Sequence, residues 1–303
     1  VKIKTNNESK GLVKQVNFSE QETKKEKKVA LVAVGDVMLG RSVGVVLARK
    51  DDQTYPFRKL KEKLVAADIF LINLESPIFD PCPLTNGGMR FCTDQKAIGG
   101  LIFAGVDVAN LANNHIYNYG QKGYQMTVDK LKESGIDFID ADNLAVIEKD
   151  GVTFGFLGFD LVSNQYPDEF MAERILMAKK EATILIVSVH WGAEYGKKES
   201  DKQQHWGRWM VDSGADLVIG HHPHVVLPIE IYQGVPIIYS LGNFIFDQMW
   251  SQETREGVLG KFVFSDGNLV DYSFVPIFIN DSYQAVEIVD KEWKARILKR
   301  LEQ

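Results

Sequence analysis

Gly220-His221-His222-Pro223-His224 holds three of the chain's six histidines. It follows an apolar run, Ala215-Asp216-Leu217-Val218-Ile219, that reads as a buried strand, and it leads into Val225-Val226-Leu227. Imidazole is the commonest metal-binding side chain in proteins and a frequent proton carrier. Packing is a poor reason for three of them at the end of a strand. We read this loop as one corner of a metal site to which the rest of the chain brings ligands.

Four further apolar runs end in the same kind of residue. Val29–Val34 ends in Gly35-Asp36, Ile69–Leu74 ends at Glu75, Val106–Leu111 leads into Asn113-Asn114-His115, and Ala182–Val189 ends at His190. Each has an ordinary explanation alone: a turn aspartate, a solvated glutamate, a helix cap, a core histidine. Their joint occurrence does not, because ligands of an open α/β sheet bind at the carboxyl ends of its strands. Carboxylate, imidazole and amide oxygen suit divalent Mn, Zn, Fe or Ni. The set is too large for one closed tetrahedral site. Glu75 is placed to bridge two ions about 4 Å apart, an arrangement that activates water for attack on phosphorus. His115 is placed to protonate a leaving oxygen.

Between these runs the spacing predicts helices near residues 42–49, 56–67, 94–105, 122–134, 168–180, 201–213 and 290–301, with Gly135 closing the fourth. Asp150-Gly151 and Ser265-Asp266-Gly267 each read as the turn of a hairpin. The fold class is α/β. Residues 1–28 are polar, end in Lys24-Lys25-Glu26-Lys27-Lys28, and read as a flexible tether. Residues 29–303 show no compositional break and read as a single domain. The net charge of −6 gives no basic face for nucleic acid. No apolar run reaches the roughly 18–20 residues of a membrane helix, and the first residues are not a signal peptide. Cys82 and Cys92 share one loop, either as two free thiols or as a disulfide formed in an oxidising compartment.

The motifs Gly35-Asp36, Asn73-Leu74-Glu75, Asn114-His115, His190 and Gly220-His221-His222-Pro223-His224 resemble those of the calcineurin-like metallophosphoesterases. Gly35-Asp36-Val37-Met38-Leu39-Gly40-Arg41, Glu75-Ser76-Pro77, His190-Trp191-Gly192-Ala193-Glu194-Tyr195 and Ser240-Leu241-Gly242-Asn243-Phe244 are similar to the capsule synthesis (CapA) branch. The resemblance covers roughly Val29 to Phe264. It implies a four-layer α/β/β/α sandwich of two mixed sheets, here followed by a C-terminal hairpin and helix. It implies Asp36, Glu75 and His224 on one divalent ion, Glu75, Asn114, His190 and His222 on a second, and His115 as acid or phosphate contact. Strand alternation would put His222 and His224 on one side and turn His221 away.

Two positions depart from the pattern. Met38 stands where the superfamily has a ligand histidine, and Asn118 where the branch has aspartate. We expect Arg41 to supply positive charge in place of the weakened first ion. Arg90, Trp191 and Glu194 are candidate contacts to an anionic polymer or phosphoester; Ser240 and Asn243 read as loop hydrogen-bonding residues and His205 as a surface residue. The family association implies a role in making, exporting or anchoring poly-γ-glutamate. The site would lie outside the membrane, beside membrane-bound capsule synthesis proteins, held by an anchor absent from this chain. A non-catalytic polymer-binding or assembly subunit is the alternative, and a cytosolic nucleotide phosphatase a third reading.

Overall fold

The computed structural model describes residues 27–302. In chain order these form β1 (Lys28–Val37), α1 (Arg41–Lys50), α2 (Lys61–Val65), β2 (Ile69–Leu74), α3 (Ile98–Ala104), β3 (Val108–Asn110), α4 (Gly120–Glu133), β4 (Asp137–Ile139), β5 (Ala145–Lys149), β6 (Val152–Asp160) and α5 (Asp168–Glu181). There follow β7 (Ile184–His190), α6 (Asp201–Asp212), β8 (Leu217–His221), β9 (Ile229–Tyr232), β10 (Val235–Ile238), β11 (Asn243–Ile245), α7 (Gln252–Arg255), β12 (Glu256–Ser265), β13 (Asn268–Ile279), β14 (Ala285–Glu287) and α8 (Lys291–Leu301).

One sheet runs β14-β13-β12-β1-β2-β3-β4, with β11 also on β1; the other runs β5-β6-β7-β8-β10-β9. The centres are parallel, β1–β2–β3 and β6–β7–β8, and antiparallel hairpins flank them, so both sheets are mixed. Strand alternation sorts the side chains into layers. Val32 and Val34 of β1 pack with Leu47, Leu64, Leu101 and Leu131 of α1–α4. Leu31 and Ala33 face inward, onto Phe154, Ile186 and Ile219 of the other sheet. Beyond that sheet, Val187 and Val189 meet Met171 and Ile175 of α5 and Met210 of α6. This is the expected four-layer α/β/β/α sandwich. Covering on both faces is why the central strands read as unbroken apolar runs.

Local details differ from the pattern. The helix expected over 56–67 is a 3₁₀ turn, Tyr55–Phe57, followed by α2, with Leu60 at φ −114° between them. The apolar spacing survives the break: Phe57, Leu60 and Leu64 are all buried, whereas Val65 is exposed. Residues 94–105 divide in the same way, Asp94 capping a 3₁₀ turn before α3. Gly135, at φ +70°, follows α4 as expected. β1 begins at Lys28, one residue before the expected domain start; the rest of the tether reading falls on residues 1–26, outside the described residues.

β11 pairs with β1 through an unusually close approach. Asp36 N–H donates to Gly242 O at 3.0 Å, and a Cβ on Gly35 would lie 1.8 Å from that same oxygen. The contact aligns Asp36 with Asn243 and fixes one wall of the cleft.

Candidate metal centre

The expected strand ends converge. Asp36 lies at the end of β1, Glu75 after β2, Asn113–His115 after β3, His190 at the end of β7, and the histidine loop after β8, so both sheets contribute. Asp36, Glu75 and His190 are fully buried, and His115, His222 and His224 nearly so. Ligand atoms of Asp36, Glu75 and His190 lie within 4.8 Å of one another, as do those of Glu194, His222 and His224. His224 joins the two groups, with Nδ1 2.9 Å from Asp36 Oδ2 and Nε2 3.6 Å from Glu75 Oε1. Asn114 Oδ1 is 3.0 Å from His190 Nε2, which is itself 3.1 Å from His222 Nδ1.

The histidine loop reaches this arrangement by a route that alternation does not describe. β8 ends at His221, and His222 and His224 take left-handed backbone conformations, φ +92° and +59°. A turn, uncommon for non-glycine residues, brings their rings to 5.7 Å. His221 does not turn away: its Nδ1 is 3.4 Å from Asp36 Oδ1, and it supports that carboxylate.

The carboxylates have opposite electrostatics. Burial alone would push Asp36 up, but contacts and charge from His221 and His224 hold it well below the usual carboxylate range. Asn73 Nδ2 adds a hydrogen bond of 2.8 Å to Asp36 Oδ1. Glu75 has no such support. Burial, then the charges of Asp36 and Glu194, push it well above its ordinary value. Both of its oxygens are buried without a hydrogen-bond partner. Burial pushes His190 well below its ordinary value, and burial with the nearby His224 lowers His222 to about 4.

His115 stacks on Phe91 at 3.8 Å, with Nε2 3.9 Å from Glu75 Oε1. Its Nδ1 is 3.0 Å from Asn118 Oδ1, and Phe91 N–H donates to the same oxygen at 2.6 Å. That atom is therefore the acceptor, Nδ1 carries the proton, and Nε2 presents its lone pair to the site. Burial lowers the imidazole to about 4 despite the Asn118 contact. It is neutral at pH 7, so acting as an acid requires a proton gained with the substrate. Asn118→Asp is expected to return the His115 pKa toward the ordinary histidine range, because a carboxylate stabilises imidazolium and an amide does so weakly. NMR titration of the imidazole in the metal-free protein reads this directly; an unchanged midpoint would refute the coupling.

Arg41 is half-buried with its guanidinium turned inward, 4.4 Å over the Phe91 ring. It pairs with Asp247 and donates from Nη1 to Gly88 O at 2.8 Å. Its expected positive charge is thus present but countered by Asp247, which was not among the sequence candidates. Asp247 directly follows another apolar strand end, Phe244-Ile245-Phe246, and that was its only signal. Met38 is buried among core residues on the helix side and its Sδ accepts from Gly40 N–H at 3.1 Å.

Trp191 is a correction. It is fully buried, stacks on Tyr239 and donates from Nε1 to Tyr239 O at 3.0 Å, so it is a core residue rather than a substrate platform. Gly220 makes room for it: a Cβ there would meet Trp191 Nε1 at 2.5 Å. Arg90 is exposed, donates to Asn118 O at 2.8 Å and lies over Tyr119. With Arg41, Gly88 and Cys92 it lines a cavity of about 210 Å³. Glu194 is half-buried beside His222 and His224. Asn243 does bond within the loops, its Oδ1 3.0 Å from His224 Nδ1. Cys82 and Cys92 form a disulfide, which decides between the two readings of that pair.

The family model for the bacterial capsule synthesis protein PGA_cap matches residues 30–248. The chain is 30% identical over 286 residues to the capsule biosynthesis protein CapA of Bacillus anthracis, covering 85% of this chain and 69% of that protein. It is 31% identical over 291 residues to the PGA biosynthesis protein CapA of Bacillus subtilis (strain 168), with 88% and 76% covered. Among solved structures it is similar to a phosphatase from Mycoplasma pneumoniae, with a TM-score of 0.56, 14% identity, and 84% and 94% of the two chains covered. A hypothetical protein from Thermus thermophilus superposes with a TM-score of 0.55 at 16% identity, covering 82% of this chain and 98% of that one. These two likenesses establish a shared fold. On its sequence, the chain belongs to the bacterial capsule synthesis protein PGA_cap family.

Proposed function

We propose that this protein serves poly-γ-glutamate capsule synthesis or export at the cell envelope, and that its site hydrolyses a phosphoester with one or two divalent ions. One observation carries the reading: Glu75 is fully buried with both carboxylate oxygens unpartnered, among imidazoles held neutral by burial. A buried carboxylate without a partner is costly, and a cation is what this donor set fits. The N and O donors, with no thiolate among them, suit Mn, Zn, Fe or Ni. Asp36, Glu75, Asn114, His190, His222 and His224 would hold the metal. A divalent ion there supplies activated water and charge for phosphoryl oxygens. Asn73 orients Asp36, Asn243 orients His224, and Asn118 with Phe91 holds His115 so that Nε2 handles a proton at the reacting group. Arg90 and the cavity it shares with Arg41 would receive the anionic part of a polymer or phosphoester.

The disulfide supports an extracytoplasmic location, since such bonds persist in oxidising compartments. No helix among the described residues is long and apolar enough to cross a membrane; the proposed place of work is next to membrane-bound capsule synthesis proteins. Nucleic acid is not an expected partner.

Turnover of a chromogenic phosphodiester by purified protein, with added Mn, Zn or Ni, tests the reading. Activity should fall at least about 100-fold in His222→Ala and in His115→Ala. The burial of Met38 in the core, away from a ligand role, favours the second reading, a polymer-binding subunit with a structural metal. Tight polyglutamate binding without turnover under any metal would establish that reading instead.

A further inference from the structure

Outside the Asp36–Glu75–His190 group, the ligand atoms of Glu194, His222 and His224 form a second trio within 4.8 Å. The two histidines are buried, and the half-buried Glu194 reaches them from the loop after β7. Glu75 adjoins this trio, its unpartnered Oε1 3.6 Å from His224 Nε2. We propose that Glu194 is a metal ligand, joining His222 and His224 on the outer of two cation positions, at the mouth of the cleft. This rests on the metal-centre reading above and adds a ligand to it.

The loop that carries Glu194 is fastened to the loop that carries its partners. Tyr195 N–H donates to Pro223 O at 2.8 Å. The Tyr195 hydroxyl accepts from Gln248 at 3.2 Å, Gln248 Oε1 accepts from Asn243 Nδ2 at 3.0 Å, and Asn243 Oδ1 meets His224 Nδ1. Outer contacts of this kind orient the residues that hold a metal and set its affinity. With the Asn243 amide bonded to Nδ1, His224 presents Nε2 toward Glu75 and the cleft.

Charge argues the same way. Asp36, Glu75 and Glu194 place three carboxylates around one cleft. Arg41, the nearby fixed cation, is spent on Asp247. Met38 brings no ligand from the β1 side, because its sulfur is engaged by Gly40 in the core. Glu194 supplies an anionic ligand from the opposite sheet. Two imidazoles and one carboxylate form a three-ligand set of the kind that leaves a position open for water or substrate. Because Glu194 is half-exposed, that position faces outward.

Metal-stripped protein titrated with Mn²⁺ and separately with Zn²⁺, followed by calorimetry and by metal content after dialysis, tests the assignment. The wild type should bind two ions. Glu194→Gln should bind one, the lost site weakened by at least about 100-fold, the upper end of what supporting residues alone account for. Asp36→Asn should lose the other ion and keep the one held by Glu194. Circular dichroism establishes that each variant is folded; Glu194→Gln alters a half-exposed loop residue and preserves side-chain volume. If Glu194→Gln keeps both ions at unchanged affinity, the Glu194 assignment is wrong and the inner centre stands. A single wild-type ion that survives Glu194→Gln overturns it equally. No bound ion in the wild type overturns both readings.

Discussion

Glu75→Gln is expected to stabilise the metal-free protein and to abolish the stabilisation that an ion at the Asp36–Glu75–His190 group gives the wild type. The Glu75 carboxyl is fully buried and neither oxygen has a hydrogen-bond partner. Its folded pKa lies well above the unfolded value, burial being the main cause. A group raised in this way contributes favourably below its unfolded pKa and loses that contribution as pH rises through the folded one. At pH 8 the wild type without metal therefore carries the penalty, and glutamine, uncharged at every pH, does not. The remaining buried amide costs less than a buried charge, so the gain should be about 1–2 kcal/mol, or roughly 2–8 °C in melting temperature. The gap should narrow at pH 5, where Glu75 holds its proton. An ion at about 100 times its Kd in the Asp36–Glu75–His190 group would stabilise the wild type by about 2.7 kcal/mol, and the variant should lack that increment. Scanning calorimetry of stripped protein at both pH values, with and without Mn²⁺ or Zn²⁺, measures all of this. A variant less stable than the wild type at pH 8 without metal would sink the argument. His115 and His222 impose the opposite slope in both proteins. Each is lowered to about 4, so their neutral burial contributes fully above about pH 6.5 and is lost as pH falls toward 4.

The second large effect concerns a residue with no ionisable group. Gly35→Ala should cost about 3–5 kcal/mol, combining overpacking with the loss of strand hydrogen bonds. The added Cβ would stand 1.8 Å from Gly242 O, a backbone atom with no rotamer to change. Relief requires β11 to leave β1, breaking Asp36 N–H to Gly242 O at 3.0 Å and Met38 N–H to Ile245 O at 2.8 Å. The shift would carry Asn243 away from His224, so metal affinity should fall with stability. Gly99→Ala is the matched control, since a Cβ there meets nothing within 4 Å and the site lies in a helix. It should be neutral or slightly stabilising. Urea unfolding compares the two; a cost under about 1 kcal/mol for Gly35→Ala would show that β11 yields more easily than its backbone contacts indicate.

The strand ends were legible because parallel strands covered on both faces must be apolar throughout, so a polar residue at the end of such a run stands out. That logic found Asp36, Glu75, His190 and the histidine loop. It failed where position depends on which distant segments meet. Trp191 reads like a cleft residue beside His190, and only the pairing of β8 with β10 encloses it against Tyr239. Asp247 joins Arg41 from 206 residues away, and no local pattern announces that pair. The turn that aligns His222 with His224 was masked by its resemblance to strand alternation, which predicts the same facing by another route. The three-residue strands β11 and β14 are too short to show a period of two. The broken helices kept their apolar spacing, which reports the buried face and not the continuity of the backbone.

The direction of β1 also decides how the molecule presents itself. From Lys28 to Asp36 the strand runs the depth of the sheet, roughly 26 Å at about 3.3 Å per residue. The chain thus enters at one pole, and the cleft opens at the other. A ligand therefore meets the opening from the pole opposite Lys28.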